Sequence, residues 1–143
     1  MGELEELYAR HRDEVAFFVV YIREAHPEDG WVLEVNREAG IALVDPASPD
    51  ERAAAAEACA VRLETKLPIL VDGLDDAVAS TYGGWPDRLY LVARDGRVAF
   101  QGEEGPDGFR PAELAAAIEA ELAPPGAQPT RRQTSQPARV RET

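Results

Sequence analysis

A single cysteine, Cys59, is all the thiol chemistry this sequence holds. A lone cysteine cannot close a disulfide framework, which excludes the stapled secreted folds and makes a reducing cytoplasm the expected compartment. There are two histidines, His11 and His26, on different elements and with no cysteine partner. No metal centre is expected from that set. The sequence has no phosphate-binding glycine loop, no GxSxG elbow and no CxxC pair, so no cofactor is expected. Long apolar runs are missing too. The longest, Val15 to Ile22, is strand-sized, far below the ~18–20 residues that span a bilayer. Met1 to Asp13 is rich in Glu and Arg and lacks the apolar core of a signal peptide. Cations are scarce: 15 Lys and Arg stand against 27 Asp and Glu, for a net charge of −12. Arg131, Arg132, Arg139 and Arg141 against Glu142 give the last stretch a net +3, leaving −15 for the rest. So acidic a body repels nucleic acid and anionic membrane.

What is present suffices for one domain. The chain has 143 residues, of which 45% are hydrophobic, enough to bury a core. Glu3 to Arg12 reads as a helix with Leu4, Leu7, Tyr8 and His11 on one stripe. Val15 to Tyr21 is β-branched and aromatic without alternation, which predicts a strand covered on both faces. A loop is expected from Arg23 to about Gly30. Ser48 caps a helix that runs to about Glu64, with Pro49 in its first turn and Glu51 closing a capping box. Leu67 to Val71 is a second strand and Asp75 to Tyr82 a short helix ended by Gly83-Gly84. Arg88 to Val92 and Val98 to Phe100 form a hairpin around Asp95-Gly96, expected as a type I′ turn. Gly102 to Arg110 is a glycine-rich loop, and Pro111 opens a closing helix with Leu114, Ile118 and Leu122 in a stripe. From Pro124 onward Pro, Gln, Thr and Ser dominate. The domain is therefore expected over residues 1–122, with 123–143 a disordered tail.

Alternating elements define an α/β fold with helices on both faces of a sheet. The final hairpin and helix, entered through Pro86, resemble the C-terminal half of a thioredoxin-like fold. In that fold a strand precedes the first helix, whereas this sequence opens on the helix. The expected fold is thus thioredoxin-like but incomplete, without the first central strand and its turn.

Tyr21-Ile22-Arg23-Glu24-Ala25-His26-Pro27-Glu28-Asp29-Gly30-Trp31 closely resembles the YIxEAHxxDGW signature of iodothyronine deiodinases and their bacterial relatives. Pro86-Asp87-Arg88-Leu89-Tyr90 resembles the family's PERLY. Gly102 to Phe109 resembles its GGxGPxGY loop, and Val71 to Asp75 a VDxMxN-like stretch. These blocks span Glu3 to Leu122. The abundance of Ala and Arg suggests a GC-rich bacterial source.

The resemblance implies reductive removal of a halogen by a cysteine or selenocysteine, with a small-molecule substrate and a thiol reductant as partners. It implies a site role for His26, relaying a proton or hydrogen-bonding a substrate phenol, with Tyr21 and Glu24 as network partners. Taken singly, these are a loop histidine, a solvated acid and a core tyrosine. Asp29 and Trp31 are expected to shape the loop. Trp85, Pro86 and Glu104 are the substrate-side candidates. Trp85 suits a cleft wall or a core equally. Pro86 stands where the fold has a cis-proline, and the sequence leaves cis and trans open. Glu104 occupies a loop position where the thyroid-hormone enzymes can carry Arg, suited to clamp a carboxylate. An acid there repels that carboxylate and argues against thyroxine as the natural substrate. Cys59, mid-helix, reads as an inert small hydrophobe.

The family's nucleophile follows its first strand, in a GSxTxPPF-like turn leading into the first helix. That position lies upstream of residue 1. Without the strand, its two neighbours face each other with unpaired backbone groups, at about 1–3 kcal/mol for each one buried. The neighbours can close up, a second chain can supply the strand in a homodimer, or the sequence is truncated at a selenocysteine UGA codon or a misplaced start. The last is the expectation adopted here, and it makes the chain inactive as written. The alternative is a non-catalytic thioredoxin-like binding module. An in-frame upstream stretch in the gene should contain a UGA or a Cys codon, and a stretch with neither overturns the expectation.

Overall fold

The computed structural model describes residues 1–24 and 46–124. Among these it is a mixed α/β structure of four helices and two small sheets. The order is α1 (Gly2–His11), β1 (Val19–Tyr21), α2 (Pro49–Arg62), β2 (Ile69–Val71), α3 (Ala77–Tyr82), β3 (Tyr90–Val92), β4 (Val98–Gln101) and α4 (Pro111–Leu122). The expected sequence of elements is present, with the first three strands shorter than expected and the last one residue longer. The tail from residue 125 and the loop from residue 25 lie outside the described residues.

Local chemistry explains the helix ends. Ser48 is extended and its Oγ accepts from the Glu51 N–H at 3.2 Å. The Glu51 carboxylate reaches back to the Ala47 N–H at 2.8 Å, one residue earlier than an ideal capping box. Pro49 and Pro111 occupy first turns, where a missing N–H costs nothing.

β1 pairs with β2 in parallel, Val20 opposite Leu70. β3 pairs with β4 antiparallel, Leu91 opposite Phe100. The two pairs do not join among the described residues, so the strands flanking the expected gap have not closed up. β1 is also shorter than the apolar run that contains it. The Glu14 and Val15 amides still bond His11 O, at 2.9 and 2.8 Å, so the start of the run serves as the exit from α1. Val15 and Phe17 turn into the core, while Phe18 and Val20 are 57% and 37% exposed. The expectation of cover on both faces is corrected on this point, because among the described residues the main neighbour of β1 is β2, which pairs along an edge and covers neither face.

The hairpin turn is corrected as well. Gly96 alone takes a left-handed conformation, at φ 82°, and Asp95 does not. The Asp95 carboxylate accepts the Arg97 N–H at 3.0 Å and Gly96 N–H bonds Ala93 O at 2.9 Å. That local bond holds Asp95 at negative φ, which a type I′ turn forbids.

The core lies between α1, α4 and the β3–β4 hairpin. Leu4 and Leu7 meet Leu91, Leu114 and Ile118, with Phe100 and Phe109 packed around them. Tyr8 stacks edge-on against Phe17 at 5.7 Å. His11 is buried on the same stripe, with Glu14 Oε2 3.8 Å from Nδ1. α2 packs on β2 and buries Ala56. α1 also reaches the β1–β2 half: Glu5 Oε1 accepts from the Thr65 hydroxyl at 2.6 Å and the Lys66 N–H at 2.9 Å. These bonds, the Thr65 hydroxyl first, hold the Glu5 carboxyl below its usual range.

Ile118, 1% exposed, sits at the centre of the core. Ile118→Ala should lower the unfolding free energy by about 3–4 kcal/mol in urea denaturation. Val61→Ala, at a position 72% exposed, should change it by under about 0.5 kcal/mol.

Candidate functional site

β2 ends at Val71, and the chain must turn at once into α3. Asp72 makes that turn. It is 5% exposed, and its carboxylate accepts the N–H groups of Gly73 at 2.8 Å, Val78 at 3.1 Å and Ala79 at 2.8 Å. Burial alone raises a carboxyl, but donation from Ala79, Val78 and Gly73, joined by the Arg52 charge, outweighs it and holds Asp72 below the usual range. Arg52 projects from α2 and is 3% exposed. Its Nη1 donates to Gly73 O at 2.6 Å and Asp76 Oδ1 at 2.9 Å. Asp76, at φ 51°, therefore stands in a left-handed conformation that this contact secures. At the other end of α3, Tyr90 Oη donates to Tyr82 O, and the two rings meet edge-on at 5.0 Å.

The fixed turn forms one wall of a cavity of about 280 Å³. Asp76 and Ser80 come from that wall, Arg23 from the end of β1, Trp85 and Arg88 from the entry to β3, and Glu104 from the glycine-rich loop. The Arg23 guanidinium lies 5.2 Å from the Trp85 ring centroid. Arg88 Nη2 is 3.5 Å from Glu104 Oε2. The Trp85–Pro86 peptide is cis. Beside the cavity, a carbon on Gly105 would fall 2.1 Å from Asp87 Oδ1, so only glycine lets the loop lie on that carboxyl. Asp87 Oδ1 is buried without a partner, and burial raises its carboxyl above the usual range.

Of the expected site residues, Tyr21 and Glu24 come together: the Tyr21 hydroxyl donates to Glu24 Oε1 at the end of β1. Trp85 and Glu104 line the cavity beside Arg23, and Pro86 follows Trp85 in the chain. His26, Asp29 and Trp31 lie outside the described residues. Cys59 is half-buried, and burial, then the Glu24 charge, push its thiol up. A thiol so placed is a poor nucleophile. Arg23 and Arg88 were quoted within motifs in the sequence, yet nothing there marked them as cavity residues. Arg52 carried no signal and Asp72 stood only as a letter of the Val71–Asp75 block, because the burial of a charge against a distant segment leaves no local pattern. No group of metal-ligand residues occurs among the described residues, and no helix there is long and apolar enough to cross a membrane.

The structure is of the mixed α/β class, and comparison with known proteins gives the family. The chain matches the iodothyronine deiodinase family over residues 1–122. It is 34% identical over 114 residues to thyroxine 5-deiodinase of Sparus aurata, covering 80% of this chain and 41% of that one. To thyroxine 5-deiodinase of Ovis aries it is 31% identical over 117 residues, covering 80% and 37%. To type I iodothyronine deiodinase of Xenopus laevis it is 28% identical over 119 residues, covering 83% and 45%. The chain belongs to the iodothyronine deiodinase family. It spans about two-fifths of the length of these curated relatives. They are vertebrate proteins, and the bacterial source expected from composition finds no support among them.

Asp72 gives a direct test of the turn. Asp72→Ala leaves three N–H groups without an acceptor and should cost about 3 kcal/mol in chemical denaturation. Because the folded carboxyl sits below its usual value of 3.8, its contribution is complete above that pH and is lost as pH falls through the lower folded value. Asp72→Asn should therefore flatten the acid limb of the stability curve, and an unchanged limb would contradict the assignment.

Proposed function

We propose that this chain is part of a thioredoxin-like, deiodinase-type oxidoreductase that removes halogen reductively from a small aromatic molecule. The observation carrying this reading is the Tyr21–Glu24 hydrogen bond at the end of β1, inside the motif that contributes Arg23 to the cleft and continues to His26. Family membership over residues 1–122 supports it. The two unjoined sheets support the thioredoxin-like build: β1 and β3 each have one pairing edge unused among the described residues, which accommodates a strand between them. In this reading His26 relays the proton, Glu24 and Tyr21 orient it, and the cleft of Trp85, Pro86 and Glu104 takes the substrate. The reaction also needs a thiolate or selenolate that Cys59 does not supply, and a thiol reductant to regenerate it. Glu104, in place of Arg, directs the substrate away from thyroxine.

The half-buried place of Cys59 on α2 favours a second reading: a non-catalytic module that binds a ligand in the cleft, with a second copy covering the open sheet in a homodimer.

The intact mass of the protein from its own organism separates the two. The oxidoreductase reading expects a mass above 15.6 kDa, with added residues that include Cys or selenocysteine. In that protein, thiol-dependent iodide release from an iodophenol should fall about 10²-fold or more on His26→Ala. A mass of 15.6 kDa and no release would leave the binding module.

A further inference from the structure

The glycine-rich loop that carries Glu104 to the cleft is anchored at its ends and lightly tied between them. The Gly102 N–H bonds Leu89 O at 2.8 Å, and Phe109 packs against the core. Between those anchors, two ties reach the rest of the molecule among the described residues. The Gly105 N–H bonds Asp87 O at 3.0 Å, and Glu104 Oε2 lies 3.5 Å from Arg88 Nη2. The Glu104 side chain is 59% exposed, so that ion pair contributes little. The middle of the loop therefore rests where Gly105 meets Asp87. This resting place is a poor one for a charge. A Cβ on Gly105 would overlap the Asp87 carboxyl, so the loop lies directly on it. Asp87 Oδ1 is enclosed with no hydrogen-bond partner among the described residues. The charged groups around it are Arg88, next in the chain, Glu103, Glu104 and Asp107 in the loop, and Arg23 across the cleft. Arg88 is turned to Glu104 and Arg23 lies over Trp85. Burial is the cause that raises the Asp87 carboxyl. What an ionised carboxylate lacks here is water, and lifting the loop admits it.

We propose that Asp87 is a proton-operated latch for the glycine-rich loop. When it is protonated, Gly105 settles on it and Glu104 stays against Arg88. When it is ionised, it draws in water, the Gly105–Asp87 bond opens and Glu104 leaves Arg88, so the cleft loses the wall that the loop provides. The sign follows from burial. The closed loop disfavours the carboxylate, so closure is strongest below the ordinary carboxyl value of 3.8 and weakens as pH rises through the higher value that the closed loop imposes. The latch acts whatever the cleft binds, because it sets access to the cleft and leaves the chemistry inside it unchanged.

Amide hydrogen exchange of the isotope-labelled full chain tests it, followed by NMR from about pH 3 to 7 and corrected for intrinsic exchange rates. The Gly105 N–H should lose protection as pH rises, with a midpoint above 3.8, while the Ile118 N–H in the core keeps its own. Asp87→Asn, which stays uncharged, should abolish that pH dependence and leave Gly105 protected throughout. Glu104→Gln removes the ion pair at an exposed position and should leave the midpoint in place. Gly105→Ala, whose Cβ has no room on the carboxyl, should leave residue 105 unprotected at every pH. A midpoint that survives Asp87→Asn, a midpoint that vanishes in Glu104→Gln, or Gly105 protection that stays constant with pH would each overturn the latch. So would a Gly105 signal that shifts as Asp87 titrates while its exchange does not change, since that is ionisation without lifting. Should Asp87→Asn unfold, seen as loss of Ile118 protection, Gly105→Ala decides: protection at residue 105 equal to that of the native chain overturns the proposal.

Discussion

Arg52 and Asp72 are both charged and almost wholly enclosed, and the cleft depends on their being so. Asp72 gathers three backbone donors into the turn that leaves β2, while Arg52 reaches from α2 to hold Gly73 and Asp76. Enclosing two ions is expensive unless each finds fixed partners. Here the partners are mostly main chain, so the pair specifies a backbone path more than it adds net stability. That path places Asp76 and Ser80 opposite Trp85 and Arg88. Removing the pair would leave the elements intact and the cleft wall without an address.

The second constraint is the open sheet. Each pair of strands is only three or four residues long, below what a hairpin alone can hold in water. Each survives because helices cover it: α1 and α4 on the hairpin, α2 on β2. Each pair also leaves outer edges unused among the described residues. Tyr21 ends β1 with Arg23 and Glu24 just beyond it, and Trp85 stands ahead of β3. Arg23 and Trp85 therefore reach the cavity from strand ends, where side chains are free of ladder geometry yet fixed by it.

Much of this was legible before any coordinates. Element order followed from period and punctuation: Ser48-Pro49 for α2, Asp95-Gly96 for the hairpin, and the Leu114–Ile118 stripe for α4. The motif around Tyr21 and Glu24 begins where β1 ends. The misses have physical reasons. The run from Val15 to Tyr21 mixes core anchors with exposed positions, and hydrophobicity alone cannot tell a residue that faces the core from one on an unused edge. Asp95 reads as a left-handed candidate until its carboxylate finds the Arg97 amide. Arg52 lies in an Ala-rich helix where a charge reads as solvated, and its burial depends on a turn more than twenty positions away. Arg23 and Arg88 were in view as letters of a motif, but their meeting at one cavity is a property of the fold.

The joint made by Glu5 has a mechanical meaning. α1 contributes Leu4 and Leu7 to the core it shares with α4 and the hairpin, and with Glu5 it grips Thr65 and Lys66 at the foot of β2. No strand pairing crosses between the two halves among the described residues, so this helix transmits cooperativity between them. The halves are natural units of partial opening, tied by the Glu5 carboxylate and by the packing of Val15 and Phe17 on the core. As pH falls through its lowered value, acid discharges that carboxylate and the two halves lose the bonds that join them at this seam.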